Sequence, residues 1–242
     1  MGQYNFGAGF MFAVPPGANP TPQQFGTMQE AGIDFAASNK SLFGQMRFAE
    51  AVAQGQMKVT GKAKFAKIKV ATYNSIFFNE TVKPGMTLAA LNEPGTIAAG
   101  GITVANSATF SQDLGVIDAL TGKPYTCVGS APSTGQYSVA AGVYTFAAGD
   151  TGKAVYICYL YTDATNGSSI TINNQPMGAA PSFKAIFNGR FSGKQITLIL
   201  NCCVSSKLNL ISTKLEDFSI PEFDFEASVD AGGVLGLLSA NE

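Results

Sequence analysis

Histidine and tryptophan are both absent from this chain of 242 residues. Without histidine the chain cannot build a His-ligated zinc site or a Ser–His–Asp triad, and it lacks the commonest general base. It contains no P-loop, GxGxxG or GxSxG motif, and no apolar run of about 18 residues that would span a membrane. We therefore expect no enzymatic activity, no cofactor, no metal and no membrane insertion.

Charge is also scarce. Charged residues make up 13% of the chain and nearly cancel, to a formal net charge of −1, while 46% of the residues are apolar. The near-equal numbers of basic and acidic residues argue against a basic arm that binds nucleic acid, and the apolar content argues against intrinsic disorder. Because a net charge near zero promotes association, we expect the chain to be a subunit of an assembly.

The four cysteines form no CxxC motif and are too sparse for a disulfide scaffold. We interpret them as small buried hydrophobic residues. Cys202 and Cys203 are adjacent in a strand-like run, so we expect their side chains to point to opposite faces of a sheet.

Residues 1–29 are punctuated by proline and glycine, which predicts an extended arm rather than a helix. The arm carries four aromatic side chains near its start: Tyr4, Phe6, Phe10 and Phe12. A frayed terminus is the alternative. The aromatic content favours docking on a neighbouring subunit, so these four residues are candidate assembly contacts.

Alternation of apolar and polar residues predicts strands at 32–38, followed by a break at Asn39–Lys40, and at 56–65. Gly61 indicates a bend or a bulge in the second strand. One face of that strand is apolar, and the other carries Lys58, Lys62 and Lys64.

From residue 65 to residue 77 the apolar side chains recur at spacings of three and four, which predicts one sizeable helix near 66–79. Val70, Thr72 and Tyr73 favour β-structure, so a continued strand is the alternative.

Residues 91–177 contain short β-favouring runs about ten residues apart, which is typical of an antiparallel sandwich. We interpret this range as an inserted β-rich subdomain. The core fold would then comprise 30–90 and 178–242, including a hairpin whose strands are 183–191 and 195–203.

Near the C-terminus, Glu222, Asp224 and Glu226 alternate with phenylalanines, and Pro221 favours a sheet edge or a bulge. Three carboxylates on one strand face could imitate a catalytic pair or a hard-metal site, but no second ligating element accompanies them. The lysines of 56–65 and these acids allow two interpretations. They form two separate solvated faces, or they lie on strands or subunit faces that pair through opposite charge.

Three segments together resemble the tail tube proteins of tailed bacteriophages and related prophages. They are AGIDFAASNKSLFGQMRFAEAVAQGQMKVTGKAKFAKI, AAGVYTFAAGDTGKAVYICYLYT and KLEDFSIPEFDFEASVD. The resemblance implies a mainly β fold, with a tail-tube-type β-sandwich and one flanking α-helix. It also implies hexameric rings that stack into a tube, through which viral DNA passes into the host without specific binding. The inserted β-rich subdomain at 91–177 departs from the family pattern, because it is longer than a minimal tube subunit needs.

The partners implied by the resemblance are further copies of the chain and other tail proteins: a sheath if the tail contracts, a tape measure, a tail terminator and a baseplate. The protein would be made in the bacterial cytoplasm and reside in the virion tail. Candidate assembly or lumen contacts are Tyr4, Phe6, Phe10, Phe12, Lys58, Lys62, Lys64, Glu222, Asp224 and Glu226. The alternative is a β-sandwich binding module, such as a phage decoration protein or an adhesin.

Overall fold

The computed structural model describes Tyr4 and residues 6–67, 69–211, 213 and 215–241. Strands hold 57% of the residues and helices 6%, so the prediction of a mainly β fold is confirmed. The chain divides into two compact units, residues 1–81 with 170–242, and residues 82–169. The second unit therefore begins at 82 rather than 91 and ends at 169 rather than 177. The predicted start falls inside the strand Lys83–Thr96, and the predicted end lies beyond its partner strand Ala154–Ser169.

The first unit begins with strands β1 (Phe10–Val14), β2 (Gln23–Gln24), β3 (Met28–Phe43) and β4 (Ala49–Phe65). The second unit holds β5 (Lys83–Thr96), β6 (Ile102–Thr103), β7 (Phe110–Asp118), β8 (Thr126–Cys127), β9 (Gln136–Ala140), β10 (Val143–Phe146) and β11 (Ala154–Ser169). The first unit resumes with β12 (Ser182–Phe191), β13 (Lys194–Asn209), β14 (Glu222–Ser228) and β15 (Gly236–Ala240).

The described strands of the first unit form one eight-stranded sheet. Its order is β2-β1-β12-β13-β14-β4-β3, and β15 also pairs with β13. Strands β14 and β15 lie along the same edge of β13, one after the other. The predicted hairpin is β12–β13, and its turn contains Ser192 and Gly193, both with positive φ, as a tight right-twisted hairpin requires.

Alternate residues of β4 and β14 point into the core of the first unit. Phe65, Phe223 and Phe225 are each 1% exposed or less. Gly61 lies opposite Phe225, and a Cβ at Gly61 would overlap the phenylalanine ring. Both neighbouring strands stay in register at Gly61, so this glycine makes room for a ring and does not form the predicted bend or bulge.

A short helical segment, residues 70–78, flanks this core. Val70–Tyr73 is α-helical and Asn74–Phe78 is π-helical, and Asn79 ends the segment in the left-handed conformation. The predicted start near 66 was too early, because the backbone N–H of Ala66 still donates to the carbonyl of Thr27 beside β3. Ile68, which belonged to the predicted helical pattern, lies outside the described residues.

The second unit has two sheets on a core of its own. One contains β5, β11 and β7, and the other contains β6, β10, β9 and β8, with one parallel pair between β8 and β9. The two chain ends of this unit are neighbours, because Ser169 pairs with Lys83. The unit is thus an insertion whose first and last strands pair with each other at the points where the chain enters and leaves it.

Two local predictions were wrong. The break expected at Asn39–Lys40 is only a register irregularity between Ala37 and Asn39, and β3 continues to Phe43. Of the edge position or bulge expected from Pro221, the edge position was wrong, because β14 lies between β13 and β4; its register with β13 does shift, between Ser205 and Lys207. Pro221 is tolerated there because it immediately precedes the strand, where its carbonyl accepts a hydrogen bond from the N–H of Phe65 and no N–H is needed.

Candidate assembly surfaces

The lysine-bearing and acid-bearing strands predicted from the sequence are β4 and β14, and they are direct neighbours in one chain. Lys64 lies opposite Glu222, and Lys62 lies opposite Asp224. Of the alternatives left open by the sequence, the structure therefore shows complementary strands. Because side chains alternate along a strand, the same register that buries the phenylalanines places these charges together on the other face of the sheet.

Ion pairs link these charges across four strands. Lys58 contacts Glu226 at 2.6 Å, and Lys62 contacts Glu222 at 3.0 Å. On β3, Glu30 contacts Lys64 at 2.6 Å, and on β13, Lys207 lies 3.4 Å from Glu222. We call this surface the charged face; it comprises Glu30, Asp34, Lys58, Lys62, Lys64, Lys207, Glu222, Asp224 and Glu226.

One pair of the charged face, Lys62 with Glu222, stabilises the charged form of both partners. The hydrogen bond from Lys62 lowers the pKa of Glu222, with a further contribution from Lys207, and outweighs the opposing effect of burial. The same hydrogen bond raises the pKa of Lys62. Both partners therefore carry full charge near neutral pH, and a role in proton transfer is not favoured.

The N-terminal residues are only partly an arm. Phe10 and Phe12 belong to β1, which pairs with β12, and Phe25 is buried in the core, so parts of the predicted arm 1–29 belong to the sheet and its core. Phe10 remains 51% exposed. Tyr4 and Phe6 precede the sheet and are 82% and 77% exposed, and the ring of Phe6 lies 5.9 Å from that of Phe191.

One exposed apolar surface had not been predicted from the sequence. Strands β3 and β4 pair with each other as far as Phe43 and Ala49, but β14 pairs with β4 only from Val59 to Lys64. The distal part, residues 36–57, is therefore a two-stranded ribbon without a third strand among the described residues. The exposed large apolar side chains of the ribbon are Leu42, Phe43, Met46, Phe48, Val52 and Met57.

A signal for the ribbon was present in the sequence. No proline occurs between Pro22 and Pro84, so no residue in that range lacks a backbone N–H for pairing. Gly44 directly follows β3, where a turn is needed. The polar residues Asn39 and Lys40 resembled a turn because, in a ribbon exposed on both faces, hydrophobic alternation no longer marks the strand.

A second exposed apolar surface lies at the C-terminal edge of the sheet. A cavity of about 280 Å³ is lined by Phe35, Leu198, Leu200 and residues 235–238. Leu237 and Leu238 are 60% and 64% exposed. Strand β15 pairs with β13 on one side, and its other edge has no partner strand among the described residues.

In the second unit, carboxylates point inward instead. Asp113 accepts hydrogen bonds from the hydroxyls of Tyr137 and Tyr144 at 2.5 and 2.7 Å. Glu93 accepts from the hydroxyl of Tyr159 at 2.5 Å and from the N–H of Ala105 at 2.8 Å. These acids satisfy buried hydroxyl groups, which is a structural task and explains their positions without catalysis.

Asp150 is fully buried and is the third inward carboxylate of this unit. It accepts hydrogen bonds from Lys153 Nζ at 2.7 Å and from the N–H of Gly135 at 2.8 Å. Burial alone would raise the pKa of Asp150, but these hydrogen bonds outweigh burial and lower it. The carboxylate therefore stays ionised and holds the loop at Gly135 against the turn that precedes β11.

The cysteines differ in their surroundings. Cys203 is buried, as predicted, and burial raises its pKa to about 12, while Cys202 on the opposite face is half-buried. Cys127 is exposed, so the interpretation of all four as buried residues was wrong for this one. Strand β8, which ends at Cys127, is two residues long at the edge of its sheet, where a side chain is not covered.

Across the part of the chain that the structure describes, no three histidine, cysteine or acidic side chains are grouped so as to hold a metal ion. Within the same residues, no helix has the length and apolar character needed to cross a bilayer. No protein-family model matches the chain, and neither does any curated protein.

Proposed function

We propose that this chain is a structural subunit that assembles with copies of itself into a tube of the bacteriophage tail type. The observation that supports the proposal best is the ribbon. Its strands extend for about eight residues, or roughly 26 Å at about 3.3 Å per residue, beyond the last contact with β14. An isolated two-stranded ribbon is marginally stable in water at best, so this one needs a partner surface.

The exposed side chains of the ribbon favour a protein partner. Leu42, Phe48 and Val52 are 64%, 82% and 64% exposed. Apolar side chains gathered on one protrusion mark an interaction site, because burying them stabilises a complex by about 25 cal/mol for each Å² removed from water.

A second copy of the chain is the partner that the remaining surfaces favour. The outer edge of β15 carries no proline and no charged side chain, so it lacks the devices that keep edge strands from pairing with other chains. Burying such edges between subunits satisfies their backbone groups. The low charge of the whole chain fits a protein that has much of its surface inside an assembly.

The resemblance to tail tube proteins supplies the finer proposal: hexameric rings, stacked into a hollow tube that conducts viral DNA in the virion tail. The other tail proteins named above would be its further partners. The ten candidate residues then divide into two groups. Tyr4, Phe6, Phe10 and Phe12 would contact neighbouring subunits, whereas Lys58, Lys62, Lys64, Glu222, Asp224 and Glu226 belong to the charged face.

Negative-stain electron microscopy of the concentrated recombinant chain tests this proposal. We expect rings or hollow tubes with sixfold end views. A variant with Leu42→Ser, Phe48→Ser and Val52→Ser should lose them while retaining its circular dichroism spectrum. A matched control is Leu120→Ser, which replaces a side chain in the second unit that is 92% exposed. The control should assemble like the unchanged chain.

A binding module is the second candidate function, and the outer face of the β5-β11-β7 sheet favours it. Tyr156 and Leu91 are 40% and 69% exposed there, while the acids of β5 and β7 at Glu93 and Asp113 point inward to tyrosines. Dispersed monomers at high concentration, with the ribbon variant indistinguishable from the unchanged chain, would contradict the tube and favour this reading.

A further inference from the structure

The charged face holds four lysines, and each of them is in contact with a carboxylate. Lys58 pairs with Glu226 and Lys64 with Glu30, both at 2.6 Å. Glu222 lies 3.0 Å from Lys62 and 3.4 Å from Lys207. Among the described residues, Asp34 is the member of the charged face without an ion pair. Five carboxylates and four ammonium groups therefore leave this face with a net charge of −1.

The signs alternate across the sheet as well as balancing overall. One row of neighbouring residues runs Glu30, Lys64, Glu222 from β3 to β14. The next runs Lys62, Asp224, Lys207 from β4 to β13. Opposite charges a few ångströms apart cancel at longer range, and salt screens what remains within about 8 Å at physiological ionic strength.

A polyanion that approaches this face therefore meets no unpaired cation among the residues that the structure describes. Binding of duplex DNA depends on lysine and arginine groups that replace condensed counterions at the phosphates. Here a phosphate that reaches an ammonium group also meets the paired carboxylate at nearly the same distance. The side chains are nevertheless accessible, since Lys58 and Lys207 are 61% and 59% exposed. The lysines are masked by charge and not by burial.

We propose that the charged face is a nucleic-acid-facing wall on which paired carboxylates mask every lysine, so that DNA passes without adhering. This inference rests on the proposed function for its ligand, a duplex polyanion in transit. The masking itself is a property of the single chain and is tested on the unassembled protein.

The test uses a variant with Glu222→Gln, Asp224→Asn and Glu226→Gln, which changes the net charge of the face from −1 to +2. Binding of a short duplex DNA is measured at several salt concentrations. The unchanged chain should show no binding. The variant should bind, with a slope of log K against log salt of about −2 to −3, because each phosphate contact contributes about −0.9.

A matched control separates masking from overall charge. The substitutions Glu50→Gln, Glu216→Gln and Asp217→Asn raise the net charge of the chain equally but lie outside the charged face, at exposed positions. This control should not bind. Equal binding by the control and the triple variant would overturn the inference, as would DNA binding by the unchanged chain or none by a folded triple variant.

A milder variant covers the case in which the triple variant does not fold. Glu226→Gln alone frees Lys58 from an exposed pair and should leave the melting temperature nearly unchanged. Added to Glu222→Gln, it should steepen the salt slope of DNA binding by about one unit relative to Glu222→Gln alone. An unchanged slope would contradict masking at this pair.

The position of the face is tested in assembled tubes with Asp34→Cys in a background of Cys127→Ser, Cys158→Ser and Cys202→Ser, which removes the other free thiols that are not buried. A small maleimide should react with the new thiol, and a maleimide on a bulky polymer should not. Reaction with both reagents would place the face outside, and reaction with neither would place it in an interface; either result overturns the wall. Failure of the unchanged chain to form tubes contradicts the proposed function instead, and the binding result on the unassembled chain still decides the masking.

Discussion

The two units of this chain solve the problem of an aromatic core differently. All but two of the 18 phenylalanines lie in the first unit, the exceptions being Phe110 and Phe146. Six of the eight tyrosines lie in the second unit: Tyr125, Tyr137, Tyr144, Tyr156, Tyr159 and Tyr161.

The difference determines where the carboxylates point. A phenylalanine needs only packing, so the first unit can place its acids on the opposite face of the sheet, paired with lysines. A buried tyrosine hydroxyl needs an acceptor, and the second unit provides one by turning Asp113 and Glu93 inward. Acidic residues therefore point into the core of the second unit, whereas in the first unit they lie on the surface of the sheet.

The largest expected effect comes from removing an inward carboxylate. Asp113→Ala leaves the hydroxyls of Tyr137 and Tyr144 without this acceptor and should lower the free energy of unfolding of the second unit by about 3 kcal/mol. Tyrosine fluorescence during urea unfolding follows mainly this unit. The control Asp113→Asn keeps one acceptor oxygen and should lose less; equal losses would show that hydrogen bonding is not the cause.

In the first unit the corresponding test is steric. Gly61→Ala places a Cβ against the ring of Phe225 and should cost about 2 kcal/mol, because a well-packed core does not accept an added methyl group. Gly32→Ala is the matched control on the neighbouring strand, where a Cβ would meet nothing within 4 Å. Hydrogen exchange of β4 and β14 peptides should increase for Gly61→Ala alone, and similar exchange in both variants would contradict this packing.

Removing single hydroxyls sharpens the comparison of the two cores. Tyr144→Phe should destabilise the second unit by about 1 kcal/mol, because its hydroxyl donates to Asp113. The hydroxyl of Tyr73, buried in the phenylalanine core, has no hydrogen-bond partner among the described residues. Tyr73→Phe should therefore be neutral or slightly stabilising in thermal unfolding. A loss as large as that of Tyr144→Phe would refute this distinction.

The charged face should contribute a dependence on pH. The pKa of Glu222 is lower in the folded chain than its ordinary value of 4.5. Its stabilisation is fully present above that value and is lost as the pH falls through the folded pKa. Glu222→Gln should therefore flatten the fall in stability of the first unit below pH 4.5, measured by urea unfolding at a series of pH values. An unchanged dependence of stability on pH would mean that groups other than Glu222 govern the loss of stability in acid.

The smallest effect is expected for the outermost ion pair. A double-mutant cycle on Lys58→Ala and Glu226→Ala should give a coupling free energy of at most about 0.5 kcal/mol, since both side chains are half exposed or more. Urea unfolding of the four proteins provides the measurement. A coupling above about 1 kcal/mol would show that the charged face stabilises the fold, whereas a small value leaves surface chemistry as its main consequence.

Much of the fold followed from local patterns. Period-two alternation located the polar and apolar faces of residues 56–65, and the two flanking β-rich runs located the β12–β13 hairpin. The helix was predicted at 66–79 and lies at 70–78, so its start was placed four residues too early, since the backbone beyond β4 remains bonded at Ala66. Apolar residues spaced three and four apart indicate a helix, but they do not show at which residue the backbone hydrogen bonds of the preceding strand end.

The candidate surfaces were less accessible to sequence reasoning. Pairing of the lysines of β4 with the acids of β14 was one of the alternatives left open by the sequence. More than 150 residues separate Lys62 from Glu222, and only the sheet order made them neighbours. The ribbon escaped notice because a strand exposed on both faces carries no hydrophobic alternation. The acids of the second unit drew no prediction, since nothing local links Asp113 to Tyr144.

The sequence by itself determined that this protein is mainly β, poorly charged, and without the histidine chemistry of many enzymes. It also determined which faces of its best-patterned strands are apolar, because side-chain alternation is a local property of the backbone. Only the tertiary structure decided which strands are adjacent, and hence that every lysine of the charged face meets a carboxylate and that, in the part of the chain that the structure describes, the ribbon has no third strand. Those outcomes depend on pairing between distant segments, where the burial of one face sets the register and the register places the charges on the other.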